Sequence, residues 1–173
     1  MSAFDTCYPS LIREEGGFVD DPDDAGGVTN LGVTKGAWES WVGHSVSIAD
    51  MRALTPAIVA PFYRARYWNA AHCDSFPVGL ALCLFHASVN AGAPRAAMLL
   101  QGVVGATPDG AIGPGTLAAY QKWAATRSVK LAVGAFQDAL RAYYRSRPKF
   151  WKFGRGWLNR AAAVQAQALG IIA

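Results

Sequence analysis

The chain has 173 residues, of which 52% are hydrophobic and 16% are charged. This composition predicts a folded protein, with one core or two small lobes, and excludes an intrinsically disordered chain. No apolar run approaches the roughly 20 residues that span a bilayer, and the N-terminus lacks the basic and apolar regions of a conventional signal peptide.

The net charge of +4 is unevenly distributed along the chain. The residues up to Asp138 carry nine Lys or Arg and twelve Asp or Glu, whereas the segment after Asp138 carries seven bases and no acid. A basic C-terminal region of this kind predicts an anionic partner. Charge alone leaves nucleic acid, anionic lipid and cell-wall polymer open.

The first half of the chain predicts a helix, an irregular hairpin and further helices. The first helix is expected from about Asp5 to Glu15, and Gly16 and Gly17 are expected to end it in the left-handed conformation. Residues 18–34 are rich in Gly, Asp and Pro and predict a hairpin or short sheet. Pro61 predicts a kink or a new start within the last helix of this half. The helices after the hairpin are expected at about residues 35–43, 47–53 and 55–70.

The second half is predicted to be helical, beginning with a buried central helix at residues 77–92, which are apolar nearly all round. Asp109 and Gly110 predict a turn in a later loop. "RPKFWKFGRGWLNR" is expected to break the chain before the last helix. The remaining helices are expected from about Pro94 and at about residues 114–125, 128–147 and 156–169. We expect two closely packed lobes, 1–92 and 93–173, without a flexible linker.

The segment "REEGGFVDDPDDAGGVTNLGVT", Arg13 to Thr34, holds six of the twelve acidic residues. Cleavage of a glycosidic bond needs a protonated carboxylic acid at the leaving oxygen and a second group that stabilises the oxocarbenium-like transition state or activates water. Glu15 suits the first role, because a helix end beside apolar residues and other negative charges keeps a carboxyl protonated. Asp24 and Thr29, across the intervening glycines, could supply the second group.

Two other interpretations of this acidic segment were weighed, a solvated turn and a metal site. The other aspartates are typical of a solvated turn in which Asp caps backbone amides. A calcium-binding EF-hand loop is excluded, because counting from Asp20 or Asp21 places Leu31 or Gly32 where the twelfth-position Glu belongs. We expect no metal and no cofactor. The three cysteines lack metal-ligand spacing and predict reduced, partly buried thiols, although a bridge from the first to either of the others stays open: Cys7, Cys73 and Cys83.

Several motifs in order along the chain resemble those of the glycoside hydrolase family 108 muramidases. "LIREEGGFVDDPDDAGGVTNLGVT" resembles the family's "EGGY-ND-DPGG-TN-GIT" pattern, "FYRARYWNA" its Tyr-Arg-x-x-Tyr-Trp segment and "SVNAG" its "AVNSG" helix end. "PDGAIGPGTL" and "FGRGWLNR" resemble the C-terminal peptidoglycan-binding region that accompanies it. Two positions depart from the pattern: His86 stands where Asp is common, and Ala25 replaces the Pro of "DPGG".

The resemblance implies a fold, an activity and a location. The fold would be mainly α and lysozyme-like, with a small irregular β-hairpin after the first helix and a helical C-terminal lobe. Glu15 would be the catalytic acid, with Asp24 and Thr29 as the second group; Asn30 could replace Thr29, whose spacing is one residue short of that in phage-type lysozymes. A phage or prophage endolysin is implied, made in the cytoplasm without a signal peptide and released to the wall through a holin.

Asn30 and three other side chains are expected to contact the substrate. Tyr63 and Trp68 could line a sugar-binding cleft, although aromatics at this spacing are also typical of a core. Asn90 could hydrogen-bond an acetamido group or cap its own helix end. The alternating aromatic and basic residues near the C-terminus could stack on bases, insert at a membrane interface, hold glycan or close a core: Trp151, Phe153 and Trp157 with Lys149, Lys152 and Arg155.

The sequence therefore predicts a monomeric muramidase that cleaves the β-1,4 bond between N-acetylmuramic acid and N-acetylglucosamine. Its partner would be peptidoglycan, with the basic C-terminal lobe also available to an anionic outer envelope. Nucleic acid is not expected, because no nucleic-acid-binding motif is present. The alternatives are a lytic transglycosylase, which gives 1,6-anhydro products, and a non-catalytic wall-binding module.

Overall fold

The computed structural model describes residues 1–20 and 27–172. Over these ranges the protein is mainly helical, with a small antiparallel hairpin after the first helix, as predicted. A π-helical segment covers Arg64–Asn69, and a short 3-10 helix covers Cys73–Ser75. The other elements are α1 (Ala3–Glu14), β1 (Thr29–Asn30), β2 (Val33–Thr34), α2 (Lys35–Val42), α3 (Ile48–Arg52), α4 (Pro56–Tyr63), α5 (Val78–Ala91), α6 (Ala93–Val104), α7 (Pro114–Ala124), α8 (Val129–Arg145) and α9 (Phe150–Ile171).

Helix α1 begins at a capping box and ends one residue earlier than expected. The Asp5 amide donates to the Ser2 hydroxyl, and the Ser2 amide donates to the Asp5 carboxylate. At the other end Glu15 is extended, with φ −78° and ψ 133°. The prediction that Gly16 and Gly17 end the helix in the left-handed conformation was wrong, since neither has a positive φ. The extended Glu15 already directs the chain out of the helix.

The hairpin turns through only two residues. Thr29 pairs with Thr34 and Asn30 with Val33, so Leu31 and Gly32 form the loop. Their φ angles are 50° and 74°, the positive values at both central positions that define a type I′ turn. This turn matches the right-handed twist of the flanking strands and fixes their register.

Helix α4 shows how the sequence sets its start and its end. Thr55 is the N-cap and Pro56 the first helical residue, as is common for proline. Pro61 lies inside the helix, which continues to Tyr63 before the backbone widens into the π-helical segment. The helix therefore does not restart at Pro61, and the irregularity follows one turn later.

The chain divides into two compact units, Met1–Arg66 and Tyr67–Ala173. The first holds α1 to α4 and the hairpin, and the second is built on α5, which is buried from Gly79 through Ser88 and contacts α6, α8 and α9. The buried central helix is thus confirmed. The functional division into lobes 1–92 and 93–173 stays a prediction. Within the described ranges, no helix has both the length and the apolar character of a membrane span.

Helix α9 begins at Phe150, six residues before the expected start near Gly156. The predicted break is present at residues 146–149, between α8 and α9, but the rest of that segment is already helical, although it contains Gly154. That glycine is buried, and the ring of Phe150 lies where a Cβ on it would project. Packing of Phe150 on Gly154 therefore compensates for the low helix propensity of glycine.

Candidate active site

Glu15 lies at the end of α1, and its carboxylate reaches the hairpin turn. Its amide donates to the Leu11 carbonyl at 3.1 Å, and the side chain is half-buried. A Cβ built on Gly32 would lie 2.7 Å from the hydroxyl oxygen of Tyr63 and closer still to Oε2 of Glu15. Two functional groups from different helices therefore meet at one glycine.

Tyr63 holds the same turn from the side of α4. Its hydroxyl donates to the Leu31 carbonyl at 2.8 Å. The ring is 1% exposed and packs against Phe62 and Tyr8, with centroids 5.5 and 6.0 Å away. This packing fixes the direction in which the hydroxyl points. Tyr63 belongs to the core, the second of the two roles considered for it, and its buried ring has little surface to offer a sugar.

Thr29 lies on the first strand of the hairpin, opposite the segment that follows Glu15. The Val19 amide donates to the Thr29 carbonyl at 2.8 Å, and the Thr29 amide donates to the Val19 carbonyl at 2.9 Å. The half-buried Thr29 hydroxyl donates to the Gly27 carbonyl at 3.2 Å. The bridge therefore brings the chain after Glu15 alongside the strand that carries Thr29. Asp24, the other predicted member of this group, lies outside the described residues.

Asn30 anchors the hairpin to the end of α3. It is 5% exposed, and its Nδ2 donates to the carbonyls of Met51 at 2.8 Å and Leu54 at 3.4 Å. Burial of an amide is favourable only with such partners. These contacts favour an anchoring role over the substrate contact that we expected for Asn30.

Trp68 and Asn90 belong to the second compact unit. Trp68 is 0% exposed and packs edge-on against Phe85 at 5.3 Å, so a ring with no exposed surface cannot stack on a sugar in this conformation. This corrects the cleft-lining role predicted for Trp68. The exposed Asn90 donates from Nδ2 to the His86 carbonyl at 2.8 Å, the helix-end contact considered as its alternative, and its Oδ1 accepts a hydrogen bond from Arg160.

The two units differ strongly in charge. Residues 1–66 carry nine acids and five bases, whereas residues 67–173 carry three acids and eleven bases. The unit with Glu15 is therefore acidic and the other is basic. Within the ranges 1–20 and 27–172, no group of three or more His, Cys, Asp or Glu side chains is placed to hold a metal ion.

Comparisons with known proteins agree on one family. The sequence model for glycosyl hydrolase 108 matches residues 8–92. The solved structure of Brucella abortus SagA superposes with a TM-score of 0.83 at 36% sequence identity, covering 96% of this chain and 94% of that one. The chain belongs to glycoside hydrolase family 108. No curated protein matches it.

Membership in family 108 makes the protein a glycoside hydrolase and agrees with peptidoglycan as the type of substrate. The predicted lysozyme-like, mainly α fold is confirmed. The matched region, residues 8–92, contains every residue predicted for the site, from Glu15 to Asn90. The C-terminal helices of this family 108 protein lie beyond that region, so their peptidoglycan-binding role stays a prediction.

The sequence interpretation missed one position in this family 108 site, Gly32. Its contact with Glu15 joins two segments 17 residues apart in sequence, and residue patterning does not reveal such approaches. A signal for the turn itself was present, because "TNLGVT" places Leu-Gly between two short β-prone runs. A two-residue loop that includes glycine is typical of a tight hairpin.

The loop that resembles a peptidoglycan-binding motif is built around buried Gln101. Its Nε2 donates to Oδ1 of Asp109 at 2.7 Å and to the hydroxyl of Thr116 at 3.0 Å, and its Oε1 accepts from the Gly110 amide at 3.0 Å. A cavity of about 530 Å³ lies beside this loop, lined by residues that include Asp109 and Thr116. The amide of Gln101 therefore fixes the wall of an open cavity in the second unit.

Proposed function

We propose that the protein is an N-acetylmuramidase that hydrolyses the β-1,4 bond between N-acetylmuramic acid and N-acetylglucosamine and so lyses bacterial cell walls. The observation that carries the proposal is the placement of Glu15, whose carboxylate lies against a glycine of a tight hairpin. Membership in family 108 supplies the class of reaction. The basic second unit supports an anionic polymer as substrate.

In the proposed reaction Glu15 donates its proton to the glycosidic oxygen as the bond to the anomeric carbon breaks. A water molecule then adds its oxygen to that carbon, and a carboxylate accepts the proton that the water loses. Asp24 is the proposed acceptor, and Thr29 is proposed to orient the water or the sugar. The position of the Glu15 carboxylate against the hairpin turn supports its role, because a proton donor must be held in place beside the leaving oxygen.

The distance between the two carboxyl groups decides the stereochemical course: about 5 Å for retention and about 6.5–9.5 Å for inversion. The anomeric configuration of the first product, followed by NMR, measures this course directly. An inverted product would assign Asp24 as a base acting on water, and a retained product would assign it as a nucleophile or a charge-stabilising group.

The test of the proposed acid is clearance of a suspension of purified sacculi. Glu15→Gln keeps the shape of the side chain but removes the proton, so we expect a loss of about 10²–10⁴-fold. Glu14→Gln is the matched control, since it makes the same change one residue earlier in the chain. A fall of less than tenfold for Glu15→Gln would reject Glu15 as the acid and favour a non-catalytic wall-binding module. Asp24→Asn tests the second group in the same assay.

Mass spectrometry of the digested sacculi separates hydrolysis from transglycosylation. Hydrolysis adds one water molecule per cleaved bond and leaves reducing muramic acid ends. A lytic transglycosylase leaves 1,6-anhydro ends without consuming water. We expect reducing ends, and predominant anhydro products would replace the muramidase assignment with the transglycosylase.

A further inference from the structure

A groove lies in the second unit where the end of α5 meets α8 and α9. It consists of two cavities, of about 220 and about 230 Å³, which share Arg147 and Trp157 and therefore lie side by side. We call their lining residues the Trp157 groove: Asn90, Tyr143, Tyr144, Arg147, Pro148, Lys149 and Trp157. All of these residues belong to the compact unit Tyr67–Ala173.

One wall of the groove is aromatic. The rings of Tyr144 and Trp157 lie 5.5 Å apart, and Phe153 stacks on Trp157 at 6.0 Å. Trp157 is half-buried, so packing fixes its ring while part of its surface stays open to the groove. A rigid, partly exposed indole offers a flat apolar surface against which the C–H face of a pyranose can pack.

The rim of the groove is cationic. The exposed guanidinium of Arg147 lies 5.3 Å from the ring centroid of Tyr143, and that of Arg95 lies 5.1 Å from the same centroid. Stacking on an aromatic face orients a guanidinium and reduces the conformational freedom that binding would remove.

Negative charge is scarce around this groove. The second unit contains three acids, and no carboxylate of residues 67–172 lines either cavity. One of the three, Asp138, forms an ion pair with Arg141 at 3.0 Å. The electrostatic potential in the groove is therefore positive, which favours an anionic ligand.

We propose that the Trp157 groove binds carboxylate-bearing units of peptidoglycan, either the carboxylates of the stem peptide or the free lactyl carboxylate of a muramic acid that carries no peptide; this rests on the proposed function, which makes peptidoglycan the substrate. The planar guanidinium of Arg147 has the geometry to donate two parallel hydrogen bonds to one carboxylate. Trp157 packs against the adjoining sugar or peptide. The groove retains the enzyme on its polymer between cleavage events.

The exposure of the aromatic side chains in this region distinguishes a glycan-binding groove from a membrane-binding surface. An anionic membrane would engage the most exposed ring, Trp151, which is 84% exposed and lies outside the lining of both cavities. The concave, cation-rimmed site instead centres on Trp157 and Arg147. This arrangement favours a glycan with carboxylates over a lipid surface.

The experiment measures co-sedimentation of the full chain with purified sacculi, in a Glu15→Gln background that limits cleavage of the bound polymer. We expect Arg147→Ala and Trp157→Ala each to raise the apparent Kd about tenfold or more. Arg145→Ala removes the same charge two residues away, and Trp151→Ala removes an exposed indole; both are expected to stay within about twofold of the parent. Arg147→Lys keeps the positive charge but loses the planar guanidinium, so its apparent Kd is expected to lie between those of the parent and Arg147→Ala.

Two further polymers identify the carboxylate. Chitin has a β-1,4-linked N-acetylglucosamine backbone without carboxylates, so Arg147→Ala is expected to leave its weak binding unchanged. An amidase hydrolyses the amide bond between the lactyl group and the stem peptide, so stripped glycan strands carry free lactyl carboxylates that intact strands lack. Binding to stripped strands that depends on Arg147 assigns the freed lactyl carboxylate as a ligand, and binding that is lost on stripping assigns the carboxylates of the stem peptide.

Two results would overturn the proposal that the groove binds peptidoglycan. One is an equal effect of Arg147→Ala and Arg145→Ala on sacculus binding, which would show a diffuse charge effect. The other is loss of binding to phosphatidylglycerol vesicles on Trp151→Ala, while the groove variants bind sacculi normally. Arg147 is exposed, so its variants test the groove even if Trp157→Ala lowers the melting temperature.

The experiments give different results if the proposed role of the groove is wrong and if the proposed muramidase function is wrong. With Glu15 intact, the controls Arg145→Ala and Trp151→Ala, which lie outside the lining of the groove, are expected to hydrolyse short soluble muropeptide oligomers at the parental rate. Normal sacculus binding by the groove variants, together with loss of hydrolysis in Glu15→Gln, would reject only the groove. Unchanged hydrolysis in Glu15→Gln would reject the assigned acid whatever the groove variants do.

Discussion

The carboxylate of Glu15 lies directly against the backbone of Gly32, in the space that any other side chain at position 32 would occupy. The same space is bordered by the hydroxyl of Tyr63. Gly32 also has a φ of 74°, a backbone angle that residues other than glycine rarely adopt. Two independent constraints therefore require glycine at this position, one from the turn and one from Glu15.

Gly32→Ala is expected to lower kcat about 100-fold while KM changes little. The added methyl group would displace the Glu15 carboxylate, and a shift of about 1 Å in a catalytic group can cost this much in rate. The measurement is steady-state hydrolysis of soluble peptidoglycan fragments, with the pH–rate profile recorded, because a displaced acid alters the profile whereas simple loss of folded protein does not.

Gly43→Ala is the matched control for this change. Gly43 caps α2 with a φ of 81°, so alanine meets similar backbone strain there, but no atom lies within 4 Å of the added Cβ. Both variants are expected to lose about 1 kcal/mol of stability, and only Gly32→Ala is expected to lose activity. Equal activity in the two would show that position 32 matters to the turn alone.

Tyr63→Phe is expected to reduce activity as well as stability, because it removes the hydrogen bond to the Leu31 carbonyl that supports the turn against Glu15. The loss in unfolding free energy is expected to be about 1 kcal/mol, measured by urea denaturation. Tyr8→Phe removes an equivalent bond, from the Tyr8 hydroxyl to the Pro56 carbonyl at 2.6 Å. A Tyr8 variant that lost as much kcat as the Tyr63 variant would contradict the positioning role.

Local signals in the sequence predicted most of the helices. The N-cap Thr55 with Pro56 marked the start of α4, and the continuous apolar run of residues 77–92 marked the buried helix α5. The acidic segment after α1 directed attention to Glu15 before any geometry was known. Each of these signals depends on neighbours within a few residues, which is why the sequence alone carries them.

The features that the sequence did not reveal depend on contacts between distant residues. The buried position of Trp68 depends on Phe85, 17 residues later, so stacking on a sugar and packing in a core looked alike in sequence. Gly32 belongs to the same class, since its neighbour Glu15 comes from another element.

Gln101→Leu is expected to destabilise the second unit by about 1–3 kcal/mol, because it leaves the Gly110 amide and the Thr116 hydroxyl without their buried partner. Gln121→Leu, on an exposed position of α7, makes the same chemical change and is expected to alter stability by less than about 0.5 kcal/mol. The midpoints of urea unfolding measure both. Equal midpoints would show that the Gln101 network contributes little.

Asp109 is expected to give the protein a pH-dependent share of its stability. The Ala111 amide, and then the Gln101 amide, donate to its carboxylate and lower the pKa of Asp109 below its ordinary value. The unfolded state therefore binds the proton more readily, so the contribution is present above about pH 4 and is lost as the pH falls through the lower, folded pKa. The urea midpoints of the parent and Asp109→Ala are expected to differ at neutral pH and to converge in acid. Asp109→Asn keeps an acceptor oxygen and is expected to lose less stability at neutral pH than Asp109→Ala. A difference in urea midpoint between the parent and Asp109→Ala that stayed constant with pH would contradict the pH-dependent role of Asp109.

The three cysteines are expected to resist thiol reagents in the native protein. Cys7, Cys73 and Cys83 are buried and form no disulfide, which excludes in this structure the bridges left open by the sequence. Burial raises the pKa of Cys83 to about 12, so its reactive thiolate is scarce near neutral pH. Labelling with an aromatic disulfide reagent is expected to be at least about a hundredfold slower than for a free cysteine, and limited by local opening. In concentrated guanidinium chloride without reductant, all three are expected to react at once. Recovery of only one thiol would reveal a disulfide, and rapid labelling of the native protein would show that these side chains are accessible.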